Sequence, residues 1–134
     1  LAEVCGEGAA RYGLAQDLPA PEQVEREALQ LAAHCDALPA EMLPLMVDIQ
    51  RLRDASLARA AEQALAQTGG LVVVITGNGH ARKDWGAPAM LTSADASLEL
   101  YVIGQTEGHD AEWRFDAELL AEPVDRGDPC DAFR

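Results

Sequence analysis

Aromatic and positively charged residues are scarce in this chain of 134 residues. It has two tryptophans, two tyrosines and two phenylalanines, and 10 basic residues against 23 acidic ones, which gives a net charge of −13. A surface this acidic repels phosphate backbones and anionic lipid, so it disfavours nucleic-acid binding and electrostatic membrane docking. No apolar run is long enough to cross a bilayer, and the chain begins at Leu1 without the charged-then-apolar pattern of a signal segment. We therefore expect a processed or truncated piece of a longer protein.

Cysteine and histidine are equally rare, with three residues of each. Cys5, Cys35 and Cys130 form no CxxC pair and no zinc-binding spacing. Their spacing leaves two alternatives open, which are one disulfide with a free thiol or three inert thiols. The chain also lacks the GxSxG, P-loop, Rossmann and HExxH motifs, so none of the enzyme classes that those motifs mark is indicated.

The residues that are abundant, above all alanine and leucine, predict a helix-rich globular domain. Hydrophobic residues make up 49% of the chain, and its length suffices for one domain with one core. Pro21 opens a predicted helix that stops near Asp36. Pro44 opens a longer predicted helix, which runs to about Gln67 and ends at two glycines.

Three apolar segments in the second half of the chain are predicted to be strands. The unbroken run Leu71–Ile75 is typical of a strand buried on both faces of a parallel sheet. Leu98–Ile103 and Phe115–Ala121 are predicted as two further strands, and Gly104–Asp110 as a loop. The order of elements indicates an α/β fold with a parallel sheet covered by helices. Sheets usually have about five or six strands, so three strands indicate part of a larger sheet.

His80 is the first candidate for chemistry, because it follows the predicted strand Leu71–Ile75 through the turn Gly77-Asn78-Gly79. Parallel sheets bind their ligands just past the carboxyl ends of strands. Imidazole suits proton transfer near neutral pH and the ligation of metals. The alternative is a histidine that only hydrogen-bonds a carbonyl in the turn, and the position favours function. Arg82 either binds a carboxylate or phosphate or faces solvent, and the sequence favours neither.

Polar residues also cluster on the long predicted helix, where Gln50, Arg53 and Asp54 share one face. Taken alone, this cluster is better interpreted as a solvated face with a local ion pair. Either of the two tyrosines, Tyr12 and Tyr101, could supply a phenolate ligand for iron. Tyr101 lies within a predicted strand and is assigned to the core, whereas Tyr12 remains open.

Five short motifs follow one another along the chain, namely AHC at 33–35, QRLRDASLA at 50–58, GNGH at 77–80, GAP at 86–88 and DPC at 128–130. Together they resemble the ChaN family of bacterial haem-binding lipoproteins, which are associated with iron uptake. The resemblance extends from about Arg11 onward, and the long-helix motif and the glycine turn are its specific parts. This family shares a superfamily with the Tiki proteases and the erythromycin esterases.

The resemblance implies a single domain over residues 1–134, equivalent to the C-terminal portion of a three-layer α/β/α domain with a mainly parallel sheet. Members of the family begin with a strand that ends in a glycine-glutamate motif followed by histidine, and this chain has no such segment. His80 would line a pocket above the strand ends, with Gln50, Arg53 and Asp54 on the helix facing it. An axial histidine or tyrosine and a cation near the propionates are what haem requires, and His80, Tyr12 and Arg82 are of those types.

The function that the resemblance implies is haem binding in the bacterial cell envelope, for the uptake or handling of haem or iron. Haem would be the partner, a divalent metal at His80 is the other cofactor considered, and a homodimer is compatible with the family. We expect a periplasmic protein, attached to the membrane only through a lipid anchor that this chain does not contain.

A hydrolase of the wider superfamily, an esterase or peptidase that depends on a metal or on a histidine and glutamate pair, is the alternative function. His80 would then be the base or metal ligand, Arg53 would stabilise negative charge and Asp54 would orient a partner. A third interpretation is a structural half-domain without activity of its own.

Overall fold

Helices dominate the computed structural model, which describes residues 7–107 and 115–133. The long helix is the centre of the fold, because both the second helix and the fifth pack against it. The elements are α1 (Glu7–Arg11), α2 (Ala20–Ala33), a 3-10 helix (Ala40–Met42), α3 (Leu43–Thr68), α4 (Asn78–Ala81), α5 (Ala87–Ala94), β1 (Ile103–Glu107), β2 (Ala117–Ala121) and a second 3-10 helix (Pro129–Phe133).

The two predicted long helices are confirmed as α2 and α3. Prolines lie in the first turn of both, where their missing N–H groups cost no intrahelical hydrogen bond. Gly69 ends α3 in the left-handed conformation, with φ of 64°, and its N–H donates to Leu65 O. Within the described residues, no helix is long and apolar enough to span a membrane.

The sheet is parallel, as predicted, but it has two strands in the described part of the chain. Ile103 of β1 pairs with Ala117 of β2, and the register continues to Glu107 and Ala121. The strand predicted over Phe115–Ala121 is confirmed, with its start at Ala117. Helices and a parallel sheet together confirm the α/β class.

The prediction of a buried strand over Leu71–Ile75 is wrong. Residues 71–77 form no helix or strand, and the side chains of Leu71 and Ile75 are 92% and 94% exposed. No backbone hydrogen bond joins residues 71–76 to any other described segment. A strand exists only where its backbone hydrogen-bonds to a neighbouring strand. No described residue provides such hydrogen bonds to residues 71–76.

The second predicted strand is displaced toward its C-terminal end. Residues 98–102 lie outside β1, and Gly104–Glu107, predicted as a loop, are in it. The assignment of Tyr101 to the core is wrong, because its side chain is 73% exposed. The Asp116 carboxylate accepts from Val102 N, and Val102 O accepts from the backbone N–H groups of Asp116 and Ala117. These hydrogen bonds fix where pairing with β2 begins. The rest of the predicted loop, 108–110, lies outside the described residues.

A disulfide joins Cys35, just past α2, to Cys130 in the last 3-10 helix. Of the two alternatives for the cysteines, the structure therefore shows the one with a disulfide. Cys5 lies outside the described residues. The bond closes a separation of 95 residues, and a loop of this length has a large chain-entropy effect on the unfolded state.

A buried charge, Arg51, joins the first part of the chain to α3. It is 6% exposed, and its guanidinium donates to Gly13 O at 3.0 Å and to Gln16 O at 2.7 Å. These contacts hold the segment after α1 against the core. The core consists of Ala9, Tyr12, Leu14, Ala55, Ala58, Met90 and Leu91.

We expect Arg51→Met to lower the free energy of unfolding by about 3 kcal/mol, because it removes charged hydrogen bonds to two carbonyls. Urea denaturation followed by far-ultraviolet circular dichroism measures this change. The control is Arg59→Met at an exposed position of the same helix, where we expect a change within about 0.5 kcal/mol. Equal effects of the two substitutions would contradict the structural role of Arg51.

Candidate functional site

Polar side chains converge in a cavity of about 470 Å³ between α2, α3 and the turn that contains α4. We call this cavity the His80 pocket. Its lining includes Arg26, Gln30 and Leu29 from α2, Val47, Gln50 and Asp54 from α3, and His80, Arg82 and Trp85 from the turn. Its volume lies within the range of about 300–1,000 Å³ that is common for small-molecule sites.

The central contact of the pocket is a hydrogen bond between His80 and Asp54. The imidazole Nδ1 lies 2.6 Å from Asp54 Oδ1, and the two side chains are 17% and 3% exposed. An ionised carboxylate can only accept, so Nδ1–H is the donor, and in the neutral imidazole Nε2 then has the lone pair. No described residue hydrogen-bonds Nε2. Nε2 is therefore available to bind a metal or a proton, and the hydrogen bond from Nδ1 to Asp54 orients the ring.

The buried position of Asp54 changes the pKa of its carboxyl group. Burial raises the pKa of Asp54 from 3.8 to about 6, although hydrogen bonding and attraction by His80 and the charges of Arg26 and Arg53 act in the opposite direction. Above that pH the side chain is a carboxylate and can hold the imidazole as described.

Two arginines lie against the indole ring of Trp85. The guanidinium carbon of Arg82 is 3.3 Å from the ring centroid, and that of Arg26 is 4.7 Å away. Both arginines also have carboxylate partners, Asp84 for Arg82 and Glu22 for Arg26. Burial lowers the pKa of Arg26. The pocket thus has a wall of two guanidinium groups, each paired with a carboxylate, that stack on an aromatic ring.

A close approach of two backbone segments shapes the turn. A β-carbon on Gly86 would lie 2.4 Å from His80 O and 2.7 Å from Arg82 O, which no real β-carbon does. Gly86 N also donates to Arg82 O at 3.0 Å. Only glycine fits here, because the turn brings the backbone of residue 86 against the carbonyl of His80. The glycine of the GAP motif is therefore required by the fold of the turn that carries the GNGH motif.

A second cavity, of about 550 Å³, is larger and more apolar. It lies between α3, α5 and the extended residues 71–76 and 98–103, and His80 borders it as well. Aliphatic side chains such as Leu57, Leu65 and Leu91 form most of its lining. The polar groups that could perform chemistry meet in the His80 pocket, which is therefore the candidate site.

Comparison with known proteins identifies the family. The family model described as "Haem-binding uptake, Tiki superfamily, ChaN" matches residues 3–91, more than half of the chain. The chain belongs to this family. The matched range contains α2, α3, α4 and the whole lining of the His80 pocket. No curated protein and no solved structure matches the chain.

The structure brings together some of the residues predicted for a ChaN-type site and separates others. His80, Asp54, Gln50 and Arg82 all line the pocket. Arg53 is exposed and lies outside the lining.

Tyr12 lies in the core rather than in the pocket, and its hydroxyl donates to Glu62. Burial, followed by this hydrogen bond, raises the pKa of Tyr12, which disfavours the phenolate that an iron ligand requires.

Sequence reasoning missed the contribution of α2 to the pocket. Arg26, Gln30 and Ala33 line it from successive turns, at spacings of four and three that place them on one helical face. This spacing was the one sequence feature that could have indicated a shared face toward a pocket. It was not used, because an arginine and a glutamine on an amphipathic helix usually face solvent. The buried Gln30 Oε1 has no hydrogen-bond partner, so the pocket offers an unused acceptor to a ligand or water.

The raised pKa of Asp54 predicts how stability depends on pH. The folded chain keeps the proton more tightly than the unfolded chain, so the contribution of Asp54 is complete below pH 3.8 and is lost as the pH rises through about 6. We expect the free energy of unfolding of the wild type, relative to Asp54→Asn, to fall by up to about 3 kcal/mol across this window.

Urea denaturation at a series of pH values measures this difference. Asp17→Asn removes the same charge from an exposed position and controls for net charge. A difference that increases with pH would show that the interaction with His80, rather than burial, controls the acidity of Asp54.

Proposed function

We propose that this member of the ChaN family binds haem in the His80 pocket and serves in the uptake or handling of haem or iron. The observation that supports the proposal most directly is an imidazole held by a buried carboxylate, with its Nε2 unused by the described residues. Haem proteins commonly bind iron through such a histidine, and its carboxylate partner tunes the ligand.

The residues of the pocket fit the chemistry of haem. Leu29 and Val47 provide apolar contact area, and Arg26 and Arg82 are cations of the type that pairs with propionates. When bound, haem would supply an iron centre that an imidazole can ligate and that can change redox state. His80 would ligate the iron, and Asp54 would fix its tautomer. Within the described residues, no group of three or more His, Cys, Asp or Glu side chains could hold a metal ion, so the donor set suits haem better than a bare divalent cation.

The proposal includes a location in the cell envelope, on the periplasmic side and held by a lipid anchor. Its support is the Cys35–Cys130 disulfide, because disulfides persist in oxidising compartments and are rare in reducing ones. The strongly acidic composition agrees with attachment through an anchor rather than through electrostatic contact with anionic lipid.

A haemin titration followed by visible absorbance tests the proposal. We expect a saturable change at fixed stoichiometry in the wild type. We expect His80→Ala to bind haemin at least about tenfold more weakly than the wild type and to show a shifted band, because the ligand to the iron is lost. Tyr12→Phe is the matched comparison, and it should leave the spectrum unchanged, since that hydroxyl is used by Glu62 in the core.

Three results would contradict parts of this proposal. A titration that matches free haemin would exclude haem binding. A normal spectrum in His80→Ala would remove His80 from the iron. Loss of the band in Tyr12→Phe, with the fold intact by circular dichroism, would transfer the axial role to Tyr12.

Hydrolysis is the second candidate function, and the His80–Asp54 pair favours it as well. A histidine oriented by a buried carboxylate is the base and orienting group that many hydrolases use to activate water or a nucleophile. We expect such an enzyme to cleave an activated ester such as p-nitrophenyl acetate, with the rate lowered by about 10²-fold or more in His80→Gln. Equal rates for the wild type and His80→Gln would exclude this function for the pocket.

A further inference from the structure

A side-chain amide connects the turn that carries His80 to the sheet. Asn78 Nδ2 donates to Gln105 O at 2.6 Å, and Asn78 Oδ1 accepts from Gln105 N at 3.3 Å. Asn78 is the first residue of α4, and Gln105 is the middle residue of β1. A single amide thus pairs with both backbone groups of one strand residue, as a neighbouring strand would.

The amide lies at the edge of β1 that faces away from β2. Val102, directly before β1, directs its N–H and its carbonyl to Asp116 and Ala117 on the β2 side. The backbone groups of successive strand residues point to opposite edges, so those of Gln105, three residues further on, point away from β2. Asn78 therefore takes the place of a neighbouring strand at this edge and connects α4 to β1.

His80 moves together with Asn78, because both belong to one closed helical turn. His80 N donates to Gly77 O at 2.9 Å, and Arg82 N donates to Asn78 O at 3.1 Å. The chain before this turn does not fix it through the backbone, since residues 71–76 make no backbone hydrogen bond to another described segment. The pairing of Asn78 with β1 supplies a fixed point that the preceding backbone does not.

The contact between His80 and Asp54 tolerates little movement. The imidazole Nδ1 and Asp54 Oδ1 are 2.6 Å apart, and a displacement of about 1 Å would lengthen this distance past the limit of a hydrogen bond. Asp54 is held within a helix of 26 residues, whereas His80 lies in a helix of four. The short helix needs support from outside itself to keep the two side chains in contact.

We propose that Asn78 is the positioning residue of the His80 pocket. By pairing with Gln105 it fixes α4 on β1, and so holds the imidazole of His80 where Asp54 accepts from Nδ1. Nε2 is then kept as the nitrogen that can ligate a metal or take a proton. Asn78 lies outside the lining of the pocket, so it acts on a ligand through His80. Its effect on haem rests on the proposed function, whereas its effect on the imidazole can be measured without a ligand.

Proton–nitrogen NMR correlation of the histidine rings in alkaline buffer measures the tautomer of His80, with His80→Gln to assign its signals. We expect the Nδ1–H form to predominate in the wild type. Asn78→Ala removes the amide, and Asn78→Asp keeps its size and acceptor but removes the donor. Both should increase the Nε2–H form about twofold or more, because the imidazole loses its fixed distance to Asp54. Wild-type spectra in both variants would overturn the proposal. A change in Asn78→Ala alone would also overturn it, because the donor would then be dispensable.

Lys83→Met is the matched control for this experiment. Lys83 connects the same turn to the sheet through an ion pair with Asp116, with Nζ and Oδ1 2.5 Å apart. This pair is partly exposed, and such pairs contribute little to holding a structure. We therefore expect the wild-type tautomer in Lys83→Met. A change as large as that in Asn78→Ala would overturn the assignment of the positioning role to Asn78, because any contact of the turn with the sheet would then suffice.

A haemin titration connects the position of His80 to binding. We expect Asn78→Ala to bind haemin at least about tenfold more weakly than the wild type, because a residue that orients the ligand to the iron is lost. At saturation the band should be that of the wild type, since His80 still ligates the iron, in contrast to His80→Ala. Equal affinities of Asn78→Ala and the wild type would overturn the proposal. If the wild type itself does not bind haemin, the haem proposal fails, while the tautomer experiment still decides whether Asn78 positions His80.

Discussion

Helix α3 must bury two opposite charges, Arg51 and Asp54, less than one turn apart, and the rest of the structure accommodates this constraint. A buried charge is costly unless hydrogen bonds or a partner compensate for it. Arg51 is compensated by carbonyls of the segment after α1, and Asp54 by the imidazole of His80. The hydrogen bonds of Arg51 hold the segment after α1 on the core, and the contact of Asp54 with His80 orients the candidate site.

The site depends on this helix because its other parts have little structure of their own. Helix α4 has four residues, and residues 71–76 before it make no backbone hydrogen bond to another described segment. The position of His80 is set by Asp54 on one side and by the close approach of Gly86 to its carbonyl on the other. The result is an imidazole oriented before any ligand arrives, which limits the entropy lost on binding. Both proposed functions, haem binding and hydrolysis, rely on that orientation.

Sequence patterns predicted helices well and strands poorly, for a physical reason. A helix satisfies its backbone within itself, so α2 and α3 could be predicted from proline, glycine and apolar spacing. A strand depends on partners elsewhere in the chain, so the apolar run Leu71–Ile75 indicated a strand that the described residues do not form. Pairing with β2 displaced the second strand for the same reason, because hydrogen bonds at Val102 and Asp116, not apolarity, set its register.

The sequence by itself determined the two long helices, the glycine turn that carries His80, the acidic surface and the resemblance to the ChaN family. Tertiary structure alone decided which arginine of the long-helix motif is buried, since Arg51 finds carbonyls to bind and Arg53 points to solvent. It also decided that Cys35 pairs with Cys130 and that α2 forms a wall of the pocket. Residue types and spacing specify what a side chain can bind within its own helix. Partners tens of residues away are chosen by how the elements pack, and periodicity holds no information on that packing.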